Sequence, residues 1–194
     1  MNESPLILGS TSVYRRELLA RLRVAFEVVA PEVDETPHSG ERAQSLAKRL
    51  AMAKARAVAE SRPNAFVIGC DQVADLNGEC LGKPMSHDRA VDQLRRQSGN
   101  VVHFETAVAL VHLQSGFAQS ALSTVRVKFR ALDDAEIEQY LQAERPYDCA
   151  GSAKSEGLGI TLLEYIQSDD PSSLIGLPLI KTCELLRQAQ FKLF

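Results

Sequence analysis

FVIGCDQVADLNGECLGKP, residues 66–84, is the stretch on which the fold and the chemistry both turn. The apolar run 66–68 predicts a buried strand that stops at Gly69-Cys70-Asp71-Gln72. Asn77-Gly78 is a turn signal, and the segment closes on Gly82-Lys83-Pro84. A carboxylate at the end of a buried strand, followed by a Gly-flanked lysine, suits a site for phosphates and a divalent metal. The lysine is not part of a P-loop. The spacing from Gly78 to Gly82 is one residue short of that motif, and Pro84 stands where a hydroxyl residue would bind magnesium. Cys70 has no histidine implied beside it, so a packing role is favoured over a nucleophilic one.

Toward the N-terminus, residues 6–9 predict a short apolar strand running into Ser10-Thr11-Ser12 and a helix of about three turns by its periodicity. Ser12 is the expected N-cap, and Leu18, Leu19 and Leu22 form the apolar stripe. Free amides and the helix dipole at such a junction favour an anion. Tyr14, Arg15 and Arg16 occupy the first turn, where paired arginines are ordinarily just solvated, and this stretch alone favours that reading. Residues 24–30 read as a second strand. The proline-fenced loop PEVDETP (31–37) then carries Glu32, Asp34 and Glu35, in the manner of an exposed connector or of a loop aimed at a metal.

Residues 41–60 carry the longest helical pattern, with Ala43, Leu46, Ala47, Leu50, Ala53 and Ala57 along one face. Lys54 falls inside that stripe. It either snorkels to the rim, the commoner outcome, or reaches into a site. Beyond residue 84, Ser86 caps a helix with Ala90, Val91 and Leu94 on its face. Residues 101–113 and 118–129 predict a long hairpin through Gln114-Ser115-Gly116. Asp133 with Glu136, and Leu132 with Ile137, fit a capping box and a hydrophobic staple. CAGSAKSEGLG (149–159) is a glycine-rich loop carrying Lys154, residues 160–165 read as a last strand, and Pro178 sits early in a final helix. Strands alternating with helices, plus one hairpin, predict an α/β fold with a mixed sheet.

Composition narrows the function classes. The chain has 194 residues, enough to bury a sizeable interior, and its net charge of −3 argues against binding a nucleic-acid polymer. Four cysteines without CxxC spacing read as reduced thiols, the usual state in the cytoplasm, and four isolated histidines argue against zinc. Met1-Asn2-Glu3 opens without the basic and apolar regions of a signal peptide, and no apolar run reaches the length of a membrane span. A cytoplasmic protein off the membrane is therefore expected, and a homodimer stays open. The charges that remain for chemistry are Arg15, Arg16, Glu35, Lys54, Asp71, Lys83 and Lys154. Carboxylates without His/Cys clusters suit a hard cation shared with substrate phosphates, and cations beside it suit phosphoryl chemistry.

LILGSTSVYRRELL (6–19), APEVDETP (30–37), AMAKARAV (51–58), VIGCDQVADLNGECLGKP (67–84), CAGSAKSEGLGI (149–160) and LIGLPL (174–179) together resemble the Maf family of nucleoside triphosphate pyrophosphatases. The resemblance covers essentially the whole chain, in order. It implies one Maf/ITPase-like α/β domain over residues 1–194, with an elongated mixed sheet, two lobes and a central cleft. It also implies hydrolysis of a small-molecule nucleotide to its monophosphate and pyrophosphate, with a divalent cation (Mg2+, Mn2+ or Co2+). By the family's motifs Asp71 is the proton acceptor, Ser10, Arg15, Arg16, Lys54 and Lys83 meet phosphates, and Glu35 with Asp71 meets the metal. Tyr14, Gln72 and Lys154 resemble the subgroup that acts on N7-methylated GTP. Members cleaving dTTP and UTP carry arginine, threonine and glutamine there. Val13, Cys70 and Glu105 depart from residues common in the family, namely proline, serine and tyrosine. The alternatives are cleavage of dTTP, UTP or another modified nucleotide, and a non-catalytic nucleotide-binding regulator of septum formation.

Overall fold

A computed structural model describes residues 4–193, so the opening Met1-Asn2-Glu3 lies outside the described residues. Strand β1 (Leu6–Gly9) leads into helix α1 (Val13–Ala20), a short strand β2 (Glu27–Val29) and the long helix α2 (Ala43–Ser61). Next come β3 (Phe66–Leu76), β4 (Glu79–Leu81), α3 (His87–Gln97) and the hairpin β5 (Val101–His112) with β6 (Phe117–Phe129). Helix α4 (Asp134–Glu144), strand β7 (Leu163–Gln167) and helix α5 (Leu179–Gln188) complete the order. The seven strands form one mixed sheet in the order β2-β1-β3-β5-β6-β7, with β4 pairing β3 off that path. β1 runs parallel to β2 and β3, and the remaining pairings are antiparallel. The α/β fold read from the sequence is the fold observed.

Strand alternation sorts the core. Ile7, Val67, Val73, Ala107, Ala109 and Val111 share a cluster with the alanine-rich face of α2. On the opposite face, Leu8, Ile68, Cys70, Val108 and Leu110 pack with α1 and α5. Further along that same face, Ala74, Leu76, Val102, Phe104, Val125 and Val127 pack with α3 and α4. Between these two apolar groups the sheet carries a polar row. Gln72 is opposite Thr106, and Thr106 is opposite Ser123.

Several expectations need correction. The strand beginning at Phe66 does not stop at Gly69 but continues to Leu76, held by an unbroken antiparallel register with β5, so Asp71 lies mid-strand. Helix α1 has eight residues rather than three turns, and the chain leaves it through Arg23 at a positive φ of 56°. The second strand shrinks to three residues. The last strand starts at Leu163, because Leu158–Leu162 forms a 3-10 turn that leaves Ile160 exposed. Pro178 is the N-cap of α5 rather than a residue within it. Ser12, Ser86 and Asp133 cap their helices as expected, each accepting from the amide three residues on. Glu136 does not complete the capping box; it pairs with Arg130 instead. Among the described residues no helix is long and apolar enough to cross a membrane.

Candidate active site

The sheet leaves one gap along β3. β1 pairs with it only as far as Gly69, and β4 takes up the same edge again at Ala74. Over residues 70–73 no strand pairs with that edge among the described residues. Asp71 and Gln72 therefore sit where the parallel and antiparallel partners part company, next to the carboxyl end of β1, a favoured ligand position in open α/β sheets. A cleft of about 720 Å³ opens there, a volume suited to a nucleotide-sized ligand.

The phosphate side of the cleft depends on how closely α2 approaches β3. A Cβ on Gly69 would lie 2.2 Å from the Ala51 carbonyl oxygen and 2.5 Å from the Ala55 amide nitrogen. Only glycine admits the helix this close. Gly69 and Asp71 share a strand face, so the same approach carries Lys54 of α2 onto Asp71. The Lys54 ammonium donates to Asp71 Oδ1 at 2.6 Å and meets Glu35 Oε1 at 2.8 Å. Lys54 is only 5% exposed and Asp71 only 7%, so the lysine reaches inward rather than snorkelling. Burial pushes the Asp71 carboxyl above the usual aspartate range, and the Lys54 and Arg15 charges pull it back in part.

The β1–α1 junction supplies the facing wall. Ser10 is buried, and its hydroxyl accepts from the Ser12 amide at 3.2 Å and from Arg15 Nη1 at 3.4 Å. Arg15 Nε also donates to the Gly176 carbonyl at 3.1 Å, which holds the guanidinium over the cleft. Lys83 is exposed and lines the cleft, with no ion-pair partner among the described residues. Arg16, by contrast, is exposed on α1 and is not part of the cleft wall.

Tyr14 lines the other end, together with Asp148, Cys149, Glu156 and Phe104. Lys154 turns to Glu144 at 3.1 Å, and its ammonium stands 5.6 Å from the centre of the Tyr14 ring. Glu144 holds that lysine charged. Gln72 points to the face opposite Asp71. Its amide nitrogen donates to Thr106 Oγ1 (2.9 Å) and to the carbonyls of Ser173 (3.0 Å) and Leu174 (3.1 Å). Two backbone carbonyls can be met only by the NH2 group, so the side-chain oxygen is what Gln72 offers the cleft. Thr106 also donates to Ser173 O, and Ser173 Oγ donates to Ser123 Oγ at 2.8 Å. The polar row thus pins the segment that carries Gly176 past Arg15. Cys70 donates to that same Gly176 carbonyl, and burial pushes its thiol up to about 11, which leaves it inert as a nucleophile at neutral pH.

The family model described as "Maf-like protein" matches residues 5–189. The chain belongs to the Maf family. A "7-methyl-GTP pyrophosphatase" of Polaromonas sp. is 65% identical over 190 residues, covering 98% of this chain and 87% of the relative. A protein of the same name from Albidiferax ferrireducens is 63% identical, with 96% and 94% covered. Another from Xanthomonas campestris pv. campestris is 56% identical, with 97% of both chains covered. The Maf cleft of this chain brings together Ser10, Tyr14, Arg15, Glu35, Lys54, Asp71, Gln72 and Lys83, leaving Arg16 and Lys154 out of its wall, the latter with its ammonium over the Tyr14 ring.

Sequence reasoning missed Asp148 and Glu156, which lie in irregular backbone with no spacing to mark them. It also missed Thr106 and Ser173, whose signal would have been a hydroxyl interrupting an apolar face. Among the described residues no group of three or more His, Cys, Asp and Glu could hold a metal ion. The donors at the catalytic end are the two carboxylates gathered on Lys54, which fits a hard cation that takes its remaining ligands from substrate oxygens.

Proposed function

We propose that this Maf protein hydrolyses 7-methyl-GTP to 7-methyl-GMP and diphosphate, as the names of its relatives state for them, in the cytoplasm and as one two-lobed domain. The observation that carries the reading is the buried Asp71, ion-paired with a Lys54 that also meets Glu35, inside a cleft whose walls also bear Arg15 and Lys83. Water attack at the α-phosphorus forms a new P–O bond, the bond to the α,β-bridging oxygen breaks, and pyrophosphate departs with that oxygen. The water proton passes to an Asp71 carboxylate oxygen. Burial favours this, because a carboxyl lifted above its ordinary range is the stronger proton acceptor.

Lys54, Arg15 and Lys83 offset the charge that grows on the leaving pyrophosphate, and Ser10 orients Arg15 toward it. Asp71 and Glu35 are the residues that would hold a divalent cation (Mg2+, Mn2+ or Co2+). When bound, that cation supplies Lewis-acid polarisation of the phosphate oxygens. Tyr14 presents a ring to the base, where a cationic purine is attracted more strongly than a neutral one. Purified protein assayed for pyrophosphate release from 7-methyl-GTP, GTP, UTP and dTTP, with each of the three metals, tests the reading. 7-Methyl-GTP is expected to give the highest kcat/KM. Faster cleavage of UTP or dTTP would replace the substrate while keeping the chemistry.

A further inference from the structure

Of the three cations assigned to the phosphates, two are held by their own side chains. Lys54 is fixed by Asp71 and Glu35, and Arg15 by the Gly176 carbonyl and Ser10. Lys83 is different. It has no ion-pair partner among the described residues, so the backbone of its loop, between Leu81 of β4 and His87 of α3, decides where the ammonium can reach. That backbone is tied down at three points. Gln93 of α3 donates its amide nitrogen to the Gly82 carbonyl at 3.0 Å. The Met85 amide, at a positive φ of 61°, donates to the Tyr147 carbonyl at 3.0 Å. His87 Nδ1 lies 3.0 Å from the Tyr147 hydroxyl, and Nε2 lies 2.8 Å from Glu138 Oε2.

The first tie acts on the peptide that joins Gly82 to Lys83. A Cβ on Gly82 would meet nothing within 4 Å, so packing does not hold that residue, whereas the Gln93 amide does. The orientation of this amide is not free. A backbone carbonyl only accepts, so the NH2 group faces Gly82, and Oε1 is left to accept from the Ser152 hydroxyl at 2.5 Å. Ser152 is fully buried, and one turn further along α3 Gln97 donates to the neighbouring Gly151 carbonyl at 2.8 Å. One half-buried side chain therefore spans from a buried anchor to the peptide that carries Lys83.

We propose that Gln93 is a positioning residue for the reaction, holding the Lys83 backbone so that the ammonium stands at the departing pyrophosphate. This rests on the reading that Lys83 meets the phosphates. The phosphate chain is common to all nucleoside triphosphates, so Gln93 acts on rate and not on the choice of base. Gln93→Glu keeps the side-chain length and an oxygen for Ser152, but turns its other oxygen toward the Gly82 carbonyl and repels it. Steady-state kinetics of the full chain on 7-methyl-GTP and GTP are compared for Gln93→Glu, Lys83→Met and the double variant. Gln93→Glu is expected to lower kcat about tenfold on both nucleotides, with KM moving by less than about twofold. Lys83→Met should lose more, and the double variant no more than Lys83→Met alone, because an absent ammonium cannot be misplaced. Gln93→Met removes the hydrogen bond without adding charge. It is expected to show the same pattern at smaller size, and it keeps the test readable should the carboxylate unfold the loop. Losses that add in the double variant, a loss confined to KM, or an unchanged kcat in both Gln93 variants would overturn the proposal. A Lys83→Met enzyme as active as the parent would instead overturn the phosphate role of Lys83, and the proposal with it, before any Gln93 variant is made.

Discussion

The two ends of the cleft are built by different means. The phosphate end stands largely on regular elements: the first turn of α1 places Arg15, the middle of α2 Lys54 and the middle of β3 Asp71, with Ser10, Glu35 and Lys83 on adjoining loops. Its central pair, Lys54 and Asp71, is buried at 2.6 Å, and an exposed Glu35 meets the same ammonium at 2.8 Å. The base end is assembled mainly from residues 147–160, two 3-10 turns and backbone at positive φ (Gly151 and Ser152), with its carboxylates exposed. Groups that must meet a reacting atom sit on backbone fixed by hydrogen-bonded register, because small displacements there are expensive in rate. The carboxylates at the base end sit on a loop, where sequence can change without moving the sheet.

Asp71→Asn is expected to break the phosphate end most severely. Pyrophosphate release from every nucleotide should drop about 10²- to 10⁴-fold, the range for losing a general base, while nucleotide binding is largely kept. Activity close to that of the parent would remove Asp71 from the mechanism. Lys54→Met comes next. It leaves Asp71 buried beside no cation from α2, a change that costs about 3 kcal/mol in comparable buried pairs, so both the melting temperature and turnover should fall, alike for 7-methyl-GTP and GTP. A substrate-dependent loss would mean the two ends are not separate. Tyr14→Ala is the mildest and probes the other end. The loss of roughly 0.5–2 kcal/mol of cation–π attraction should lower kcat/KM for 7-methyl-GTP by about two- to thirtyfold and for GTP by less. Equal effects in paired kinetics would make Tyr14 a packing residue.

The two ends also differed in how far they could be read before the structure. Ser12, Ser86 and Asp133 announce their helices by side-chain chemistry acting over three residues, and all three caps form. The hairpin was legible from two long β-rich runs around a Gly-containing turn. Gly69 misled because glycine ordinarily weakens a strand. Its role is a contact with Ala51 and Ala55, which local spacing does not reveal. Lys54 was ambiguous for a related reason: whether a lysine in an apolar stripe points out or in depends on what the neighbouring strand presents at that height. Gln72 was legible as a cleft residue, but the commitment of its amide nitrogen to Ser173 and Leu174 joins positions about a hundred apart. The loop carrying Asp148 and Glu156 has neither helical nor strand periodicity to orient a side chain, so its contribution emerged only from coordinates.

The polar row Gln72–Thr106–Ser123 has a consequence for anyone who wishes to redesign this scaffold. It separates the apolar cluster under α1 and α5 from the one under α3 and α4, and the two share no buried residue. Substitutions on opposite sides of such a divide tend to add independently. The cluster under α3 and α4, against which Tyr147, Ala150 and Ala153 of the base-end loop pack, can therefore be repacked while the one under α1 and α5 is inherited unchanged.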